Sequence, residues 1–404
     1  MLSLFGQADT VRGIAGGGRT VIRLADFATH PSQELPAGVV EAALVRSTEQ
    51  IDHAISLGWA AALQLGQKEV GVGSNAMPAL ASLGENYDYL APGDILGMDG
   101  ATGRFRVLFR ANSRHNAFLV TERCNNYCVM CSQPPRNVDD LWLLDEIATA
   151  IPLLPKSLPS LGFTGGEPLL RAERFIEILH ECRSCLPQTT IHVLSNGRAF
   201  ADPAITRAWA GIEHPNLTVG IPVYSDVAHL HDYVVQAKGA FDETLLGILR
   251  LKDKGQRVEI RVVLHAITAP RIVELCSWLA RNLPFVDHVA LMGLEDTGFA
   301  IANKDKLWID PVDYRDDLAE GVTRLASAAV PVSIYNLPLC LVREDVWPFA
   351  VQSISDWKNG YGDSCAECAE RESCAGFFTS GRPIKSRGIK PFITRRQALE
   401  APTH

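Results

Sequence analysis

Three cysteines in one short run, Cys124-Asn-Asn-Tyr-Cys128-Val-Met-Cys131, are the residues best placed to do chemistry. Three thiolates on one loop hold three corners of a cubane [4Fe–4S] cluster and leave the fourth iron open. An open metal position binds an exogenous group and acts on it. A second set, Cys365-x2-Cys368-x5-Cys374, follows Cys340. Four thiolates from one chain close an iron–sulfur or a zinc site, and the spacing leaves both metals open. Cys182 and Cys185 near the end of a helical pattern, and Cys276 within another, read as packing thiols. The turn Gly162-Phe-Thr-Gly165-Gly166-Glu167-Pro168 follows an apolar run downstream of the first cysteine set.

The elements that must position these groups are legible between residues 116 and 296. Apolar runs predict strands at Ala117–Thr121, Ser160–Thr164, Thr190–Leu194, Leu217–Val223, Val258–Leu264 and Val286–Met292. Helical stretches are expected at Val138–Leu154, Pro168–Leu186, Asp202–Ala210, Phe241–Lys254 and Pro270–Asn282. Asp202-Pro203 supplies a cap and a first-turn proline, and Gly255 a stop. Crossovers of that length make the strands parallel. Six units fit an open, partial (β/α)6 barrel within an α/β fold. In such sheets functional groups collect at the C-terminal ends of strands. Cys124–Cys131, Gly165–Glu167, Ser195–Gly197 and Ser225 fall there, after successive strands.

Three regions are expected. Residues 1–115 form an α+β accessory domain, with strands at Thr20–Leu24, Val39–Val45, Asp94–Leu96 and Arg104–Phe109 and a helix over Ser47–Leu65. This domain is either a docking surface or a cap on the barrel. Residues 116–299 form the barrel, and residues 300–404 a cysteine-rich extension. The basic stretch Thr379–His404 lacks interleaved aromatics and reads as an arm rather than a nucleic-acid patch. The chain of 404 residues is 47% hydrophobic and 21% charged, with a net charge of −8. That balance gives no footprint for nucleic acid or anionic membranes. No run is long and apolar enough for a membrane helix, and no secretory signal is read. Ten cysteines without an export signal point to metal or reactive thiols and a cytoplasmic, oxygen-sensitive enzyme.

Cys124, Cys128 and Cys131, then Gly165-Gly166-Glu167, then Ser195-Asn196-Gly197, resemble the radical S-adenosylmethionine (SAM) superfamily in order and spacing. The resemblance implies a partial barrel whose three cysteines ligate a [4Fe–4S] cluster. It implies that the open iron binds the methionine amino and carboxylate groups of SAM, which is cleaved reductively to a 5′-deoxyadenosyl radical. Backbone groups of Gly165 and Gly166 would approach the methionine amine, while Glu167 shapes the turn. Ser195, Asn196 and Ser225 are candidates for ribose and carboxylate contacts, with ordinary turn roles as the alternative. Met130 stands where many relatives carry an aromatic residue; backbone contact with adenine would survive that change, stacking would not.

The run Cys365–Cys374 after Cys340 resembles the SPASM/twitch extension of radical SAM peptide maturases. Phe378 stands where a further cysteine would follow, which implies one auxiliary [4Fe–4S] cluster, with structural zinc as its rival. Thr121–Pro135, and Gln352–Asn359 with the cysteines after it, resemble the C-type maturase of the His-Xaa-Ser system. That implies a ribosomally made peptide with His-Xaa-Ser repeats as substrate. A second radical SAM protein and an electron donor such as flavodoxin or ferredoxin are the implied partners. The alternatives are a small-molecule substrate and a non-catalytic iron–sulfur scaffold for a partner enzyme. His231-Asp232 followed by Gly239-x-Phe241 reads first as a pair orienting a loop, with proton transfer by His231 as the alternative. Arg261 and His265 are expected to share one strand face and to meet SAM or substrate if that face is the lumen. Glu295 and Asp296 would line the mouth.

Overall fold

The structure is a computed structural model that describes residues 3–14, 18–66, 77–352, 359–378 and 386–393. Most of the basic stretch from Thr379, and residues 353–358 of the maturase-like run, lie outside the described residues. Two eight-stranded sheets dominate.

The first sheet holds β1 (Phe5–Gln7), β2 (Thr10–Arg12), β3 (Arg19–Asp26), β4 (Val39–Val45), β5 (Ala61–Leu65), β6 (Ala79–Leu83), β7 (Ile95–Asp99) and β8 (Arg104–Phe109). Its order is β1-β8-β7-β3-β4-β5-β6-β2, with β3 to β6 parallel and β7 and β8 antiparallel beside them. The helix expected over Ser47–Leu65 is corrected. Helix α1 (Thr48–Ser56) is capped by the Ser47 hydroxyl and stops before Gly58, whose φ is +91°. The remainder is β5, buried at every position and paired on both sides. A strand covered on both faces shows no alternation, so periodicity alone does not separate it from a buried helix.

The second sheet is parallel throughout and curls into a partial barrel. Its strands are β9 (Asn116–Leu119), β10 (Ser160–Thr164), β11 (Thr190–Leu194), β12 (Leu217–Pro222), β13 (Arg257–Leu264), β14 (His288–Gly293), β15 (Val332–Tyr335) and β16 (Ala350–Val351), neighbours in chain order. Its helices are α2 (Trp142–Ala150), α3 (Ala172–Cys185), α4 (Pro203–Ala210), α5 (Ala228–Val235), α6 (Ala240–Asp253) and α7 (Ile272–Asn282). Short turns α8 (Phe299–Ala302) and α9 (Lys304–Leu307) precede α10 (Arg315–Ser327). The six expected strands are present, and β15 and β16 extend the sheet past the boundary expected after residue 299. Helix α10 crosses back over α7, where an added Cβ at Gly321 would touch Cys276 Sγ at 3.0 Å. That packing delivers β15 to the edge of β14. A short two-stranded ribbon, β17 (Asn359–Gly360) with β18 (Phe377–Phe378), frames the second cysteine set.

Alternation sorts the barrel strands. Along β13 Val258, Ile260, Val262 and Leu264 are buried, while Glu259, Arg261 and Val263 are only partly so. The buried row packs beneath the helices and the other row faces the concave side. Phe118, Phe163 and Phe175 form a buried aromatic chain linking β9, β10 and α3, with centroid separations of 5.8 and 5.5 Å. Each such ring contributes about 2–3 kcal/mol on burial. Glu146 on α2 meets the first sheet, accepting from Arg19 at 3.2 Å and Arg106 at 2.5 Å, with both guanidiniums over the Trp142 ring. Among the described residues no helix is long and apolar enough to cross a membrane.

Candidate functional site

Cys124, Cys128 and Cys131 lie on the loop leaving β9, at the C-terminal mouth of the barrel. All three thiols are free and partly buried. Burial pushes the Cys124 thiol up to about 11, with smaller contributions from the Glu167 and Cys131 charges. Burial also raises Cys128, helped by Cys131 and Cys124, and raises Cys131. The three thiols lie near enough to feel one another's charge, but among the described residues no three His, Cys, Asp or Glu side chains are grouped to hold a single metal ion. A buried, mutually repelling thiol set favours ionisation only when a cation compensates it, which matches an iron–sulfur donor set.

The loop is fastened from several sides. Tyr127 and Val129 donate their amides to Val235 and Val234 at the end of α5, at 3.0 and 2.9 Å. Phe299 donates to the Cys131 carbonyl at 2.8 Å, and the Asn303 amide to the Val129 carbonyl at 2.8 Å. Arg198 donates to the Asn125 carbonyl and to Asn126 Oδ1, at 3.0 and 2.7 Å. Asp140, ahead of α2, accepts from Thr121 Oγ1 and the Glu122 amide, at 2.8 and 2.6 Å.

Gly165-Gly166-Glu167 supplies the remaining fastening. The Gly166 amide donates to the Thr121 carbonyl at 2.8 Å and the Glu167 amide to the Arg123 carbonyl at 2.7 Å. An added Cβ on Gly166 would lie 2.5 Å from the Arg123 carbonyl carbon and closer still to its oxygen. Gly165 has φ +139°, a region that L side chains rarely adopt. The glycines are thus required by the approach of the cysteine loop itself. The Glu167 carboxylate is almost fully buried. It accepts from Leu169 N and Ser195 Oγ at 2.9 Å each, and from Asn196 N at 2.7 Å. Burial raises its pKa, opposed by those hydrogen bonds and by the Arg198 charge. Glu167 ties the turn after β10 to the turn after β11.

Ser195, Asn196 and Ser225 are brought to the same rim, yet their polar atoms are engaged within the protein. Ser195 Oγ also accepts from Gly197 N at 3.1 Å. The Asn196 side chain accepts from Arg198 N at 3.0 Å and donates to Asn125 Oδ1 at 2.6 Å. Ser225 Oγ accepts from Val227 N at 3.1 Å, ahead of α5. Met130 packs in a buried apolar group with Val234, Ala300 and Leu307.

His231 is buried. Its Nδ1 accepts from the Tyr224 amide at 3.2 Å, and burial pushes its pKa down to about 4. Asp232 accepts from the Gly239 and Phe241 amides at 2.6 and 2.9 Å. The pair orients the loop between α5 and α6, and a neutral imidazole is not a proton shuttle near pH 7. Arg261 and His265 do not share a setting. Arg261 lies on the partly buried row of β13, whereas His265, just past the strand, is fully buried; its Nδ1 accepts from Ile267 N at 3.3 Å and its Nε2 has no partner among the described residues.

Sequence reading missed the network around Arg261. Glu259 accepts from Arg261 Nη1 at 2.6 Å and pairs with His288 Nδ1 at 2.9 Å and His192 Nε2 at 3.3 Å. His288 Nε2 lies 2.9 Å from Ser333 Oγ on β15. Burial alone would push the Glu259 carboxyl up, but the neighbouring His192 ring, the hydrogen bond from His288 and the Arg261 charge hold it well below the carboxylate range. Glu259 and Arg261 at alternate positions were the available signal; their partners come from β11, β14 and β15.

The second cysteine set converges. Cys340, following β15, joins Cys365, Cys368 and Cys374 around one cavity of about 390 Å³, walled by Tyr361 and Phe392 among others. Leu339 and Gly376 aim their amides at Cys374 Sγ, at 3.3 and 3.4 Å, and Phe392 aims its amide at Cys368 Sγ at 3.3 Å. Amides directed at sulfur stabilise thiolate; the four thiols share one cavity, though among the described residues no three His, Cys, Asp or Glu side chains are grouped to hold a single metal ion. Cys182 and Cys276 are fully buried packing thiols, and Cys185 lies partly exposed at the end of α3.

Residues 118–279 match the family model described as Radical SAM superfamily, so the chain carries a radical SAM domain over the segment that holds the first cysteine loop. GTP 3′,8-cyclase of Mycobacterium ulcerans (strain Agy99) is 26% identical over 217 residues, covering 48% of this chain and 58% of that protein. The chain therefore spans a little over half the length of that curated relative. Among solved structures, Streptococcus suis SuiB bound to S-adenosylmethionine is 18% identical, covering 55% of this chain and 50% of that chain, with a TM-score of 0.43. A radical SAM methyltransferase from Sphaerobacter thermophilus is 17% identical, covering 60% and 72%, with a TM-score of 0.44.

Proposed function

We propose that this chain is a radical SAM maturase acting on a ribosomally made peptide with His-Xaa-Ser repeats. The observation that carries the reading is a loop of three free thiols fastened at the mouth of the parallel barrel, within the radical SAM domain. Cys124, Cys128 and Cys131 would hold the [4Fe–4S] cluster. When bound, the cluster supplies the electron that cleaves SAM reductively, and SAM the radical that abstracts hydrogen. The chain's residues fix the geometry. Gly165, Gly166 and Glu167 hold the cysteine loop against the turns after β10 and β11, and Ser195, Asn196 and Ser225 set the rim that would face the SAM ribose and carboxylate. Cys340, Cys365, Cys368 and Cys374 would hold an auxiliary [4Fe–4S] cluster, supported by the amides aimed at their sulfurs. The peptide reading rests on the resemblance of residues 121–135 and of the cysteine extension to His-Xaa-Ser maturases. A second radical SAM protein and a flavodoxin or ferredoxin are the proposed partners, in the cytoplasm.

A second reading, a small-molecule substrate, is favoured by the 26% identical relative named GTP 3′,8-cyclase. Anaerobic reconstitution with iron, sulfide and dithionite, assayed for 5′-deoxyadenosine with and without a His-Xaa-Ser repeat peptide, separates the two. Peptide-stimulated turnover with a change of peptide mass supports the maturase. Turnover indifferent to the peptide transfers the reading to a small molecule. Cys124→Ala is expected to abolish SAM cleavage, whereas Cys368→Ala retains measurable cleavage and loses the modified product. Cleavage by Cys124→Ala at the parent rate would sink the cluster assignment.

A further inference from the structure

Beside the second cysteine set lies a second, partly open cavity, between the barrel rim and the β17–β18 ribbon. One wall comes from residues after β14. Asp296 sits there, two positions before Gly298, whose added Cβ would clash with the carbonyls of Cys131 and Ser132. Phe377 and Phe378 also line it, and Phe377 lines the cavity of Cys340, Cys365, Cys368 and Cys374 as well. An occupant would thus lie between the two cysteine sites. Trp308 and Tyr314 complete the aromatic lining.

The Asp296 carboxylate is the telling group. Asp296 is only 7% exposed, and among the described residues its side chain has no hydrogen-bond or ion-pair partner. The Tyr314 side chain is 3% exposed, and its hydroxyl likewise has no hydrogen-bond partner among the described residues. Structural carboxylates at this depth are paired, as Glu167, Glu146 and Asp140 are here. An unpaired carboxylate in a pocket of this kind is a ready partner for a cation or a strong donor. Aromatic faces around it favour a cation further.

We propose that this cavity receives a cationic, planar side chain of the substrate, the histidine of a His-Xaa-Ser repeat, with Asp296 as its counter-ion. The proposal rests on the peptide reading above for the identity of the side chain. The cavity and its carboxylate select a cation independently of that reading. Asp296 is here a specificity residue that registers the repeat against the barrel mouth.

Two binding measurements on the reconstituted full chain test this. In the first, N-acetylhistidinamide and its neutral counterpart N-acetylglutaminamide are titrated near pH 6 by saturation-transfer NMR, with N-acetylargininamide as a non-imidazole cation. The histidine probe is expected to bind at least about tenfold more tightly than the glutamine probe, since a buried charge partner is at stake. Equal binding of the two overturns the cation site, with no variant needed. Preference for the arginine probe overturns the choice of histidine. In the second, Kd is measured for the repeat peptide and its His→Gln form, on the parent protein and on Asp296→Asn. Each single change is expected to weaken binding about tenfold, and the double change no further. Additive losses overturn the pairing. If the histidine probe binds in the parent and is lost in Asp296→Asn, while the repeat peptide does not bind the parent, the cation site stands and the peptide reading fails.

Discussion

Gly166→Ala separates two reasons for a glycine at this turn. If the glycine makes room for a cofactor, alanine leaves the protein alone and weakens SAM binding. In the structure the added Cβ instead meets the Arg123 carbonyl group, 2.5 Å from its carbon. Neither partner is a flexible side-chain end, so the turn and the cysteine loop must part. Overpacking of this kind costs about 1–3 kcal/mol. The Gly166–Thr121 and Glu167–Arg123 backbone hydrogen bonds, 2.8 and 2.7 Å, weaken with it, at about 1 kcal/mol each. The expected loss is about 3–5 kcal/mol, which lowers the melting temperature of the protein before reconstitution by roughly 4–6 °C. Iron and sulfide incorporation should fall in step, because Cys124 follows directly on Arg123. The assays are a calorimetric melt before reconstitution, then iron, sulfide and SAM affinity after it. A variant that melts with the parent, loads iron normally and loses only SAM affinity would refute the reasoning and restore the cofactor as the reason for the glycine.

Glu146→Ala leaves Arg19 and Arg106 without their shared carboxylate, and should destabilise the contact between the first sheet and α2 by about 3 kcal/mol; limited proteolysis near residue 110 reads the loosening, and parent-like resistance counts against it. Glu259 has a depressed folded pKa, so its contribution is present above the unfolded carboxylate value near ~4.3 and is lost as pH falls below it. Urea midpoints at pH 7 and pH 3.5 should therefore differ less for Glu259→Gln than for the parent, and an unchanged difference argues against the network. His231, held neutral down to about 4, should show no imidazole titration by NMR between pH 5.5 and 8 in the folded protein; a midpoint near ~6.5 would contradict its burial.

The sequence by itself determined the parallel barrel and the placement of its functional turns. Its strands alternate or run apolar over short lengths, its helices carry caps, and the cysteines and glycines fall at successive strand ends. Such signals are local, and β10 and β11 match their expected bounds at Ser160–Thr164 and Thr190–Leu194. The grouping of Cys365, Cys368 and Cys374 was equally local. The sequence reading set Cys340 beside those three, and the fold brings all four onto one cavity. Tertiary structure alone decided three matters. It turned Ala61–Leu65 into a strand, because burial on both faces erases the period that marks one. It made Gly165 and Gly166 a clamp on the cysteine loop, because a steric demand depends on what approaches the backbone from elsewhere. It gave Glu259 two histidines and left Asp296 with no partner among the described residues, because a charge finds its partner across strands and loops far apart in the chain, where no spacing records it.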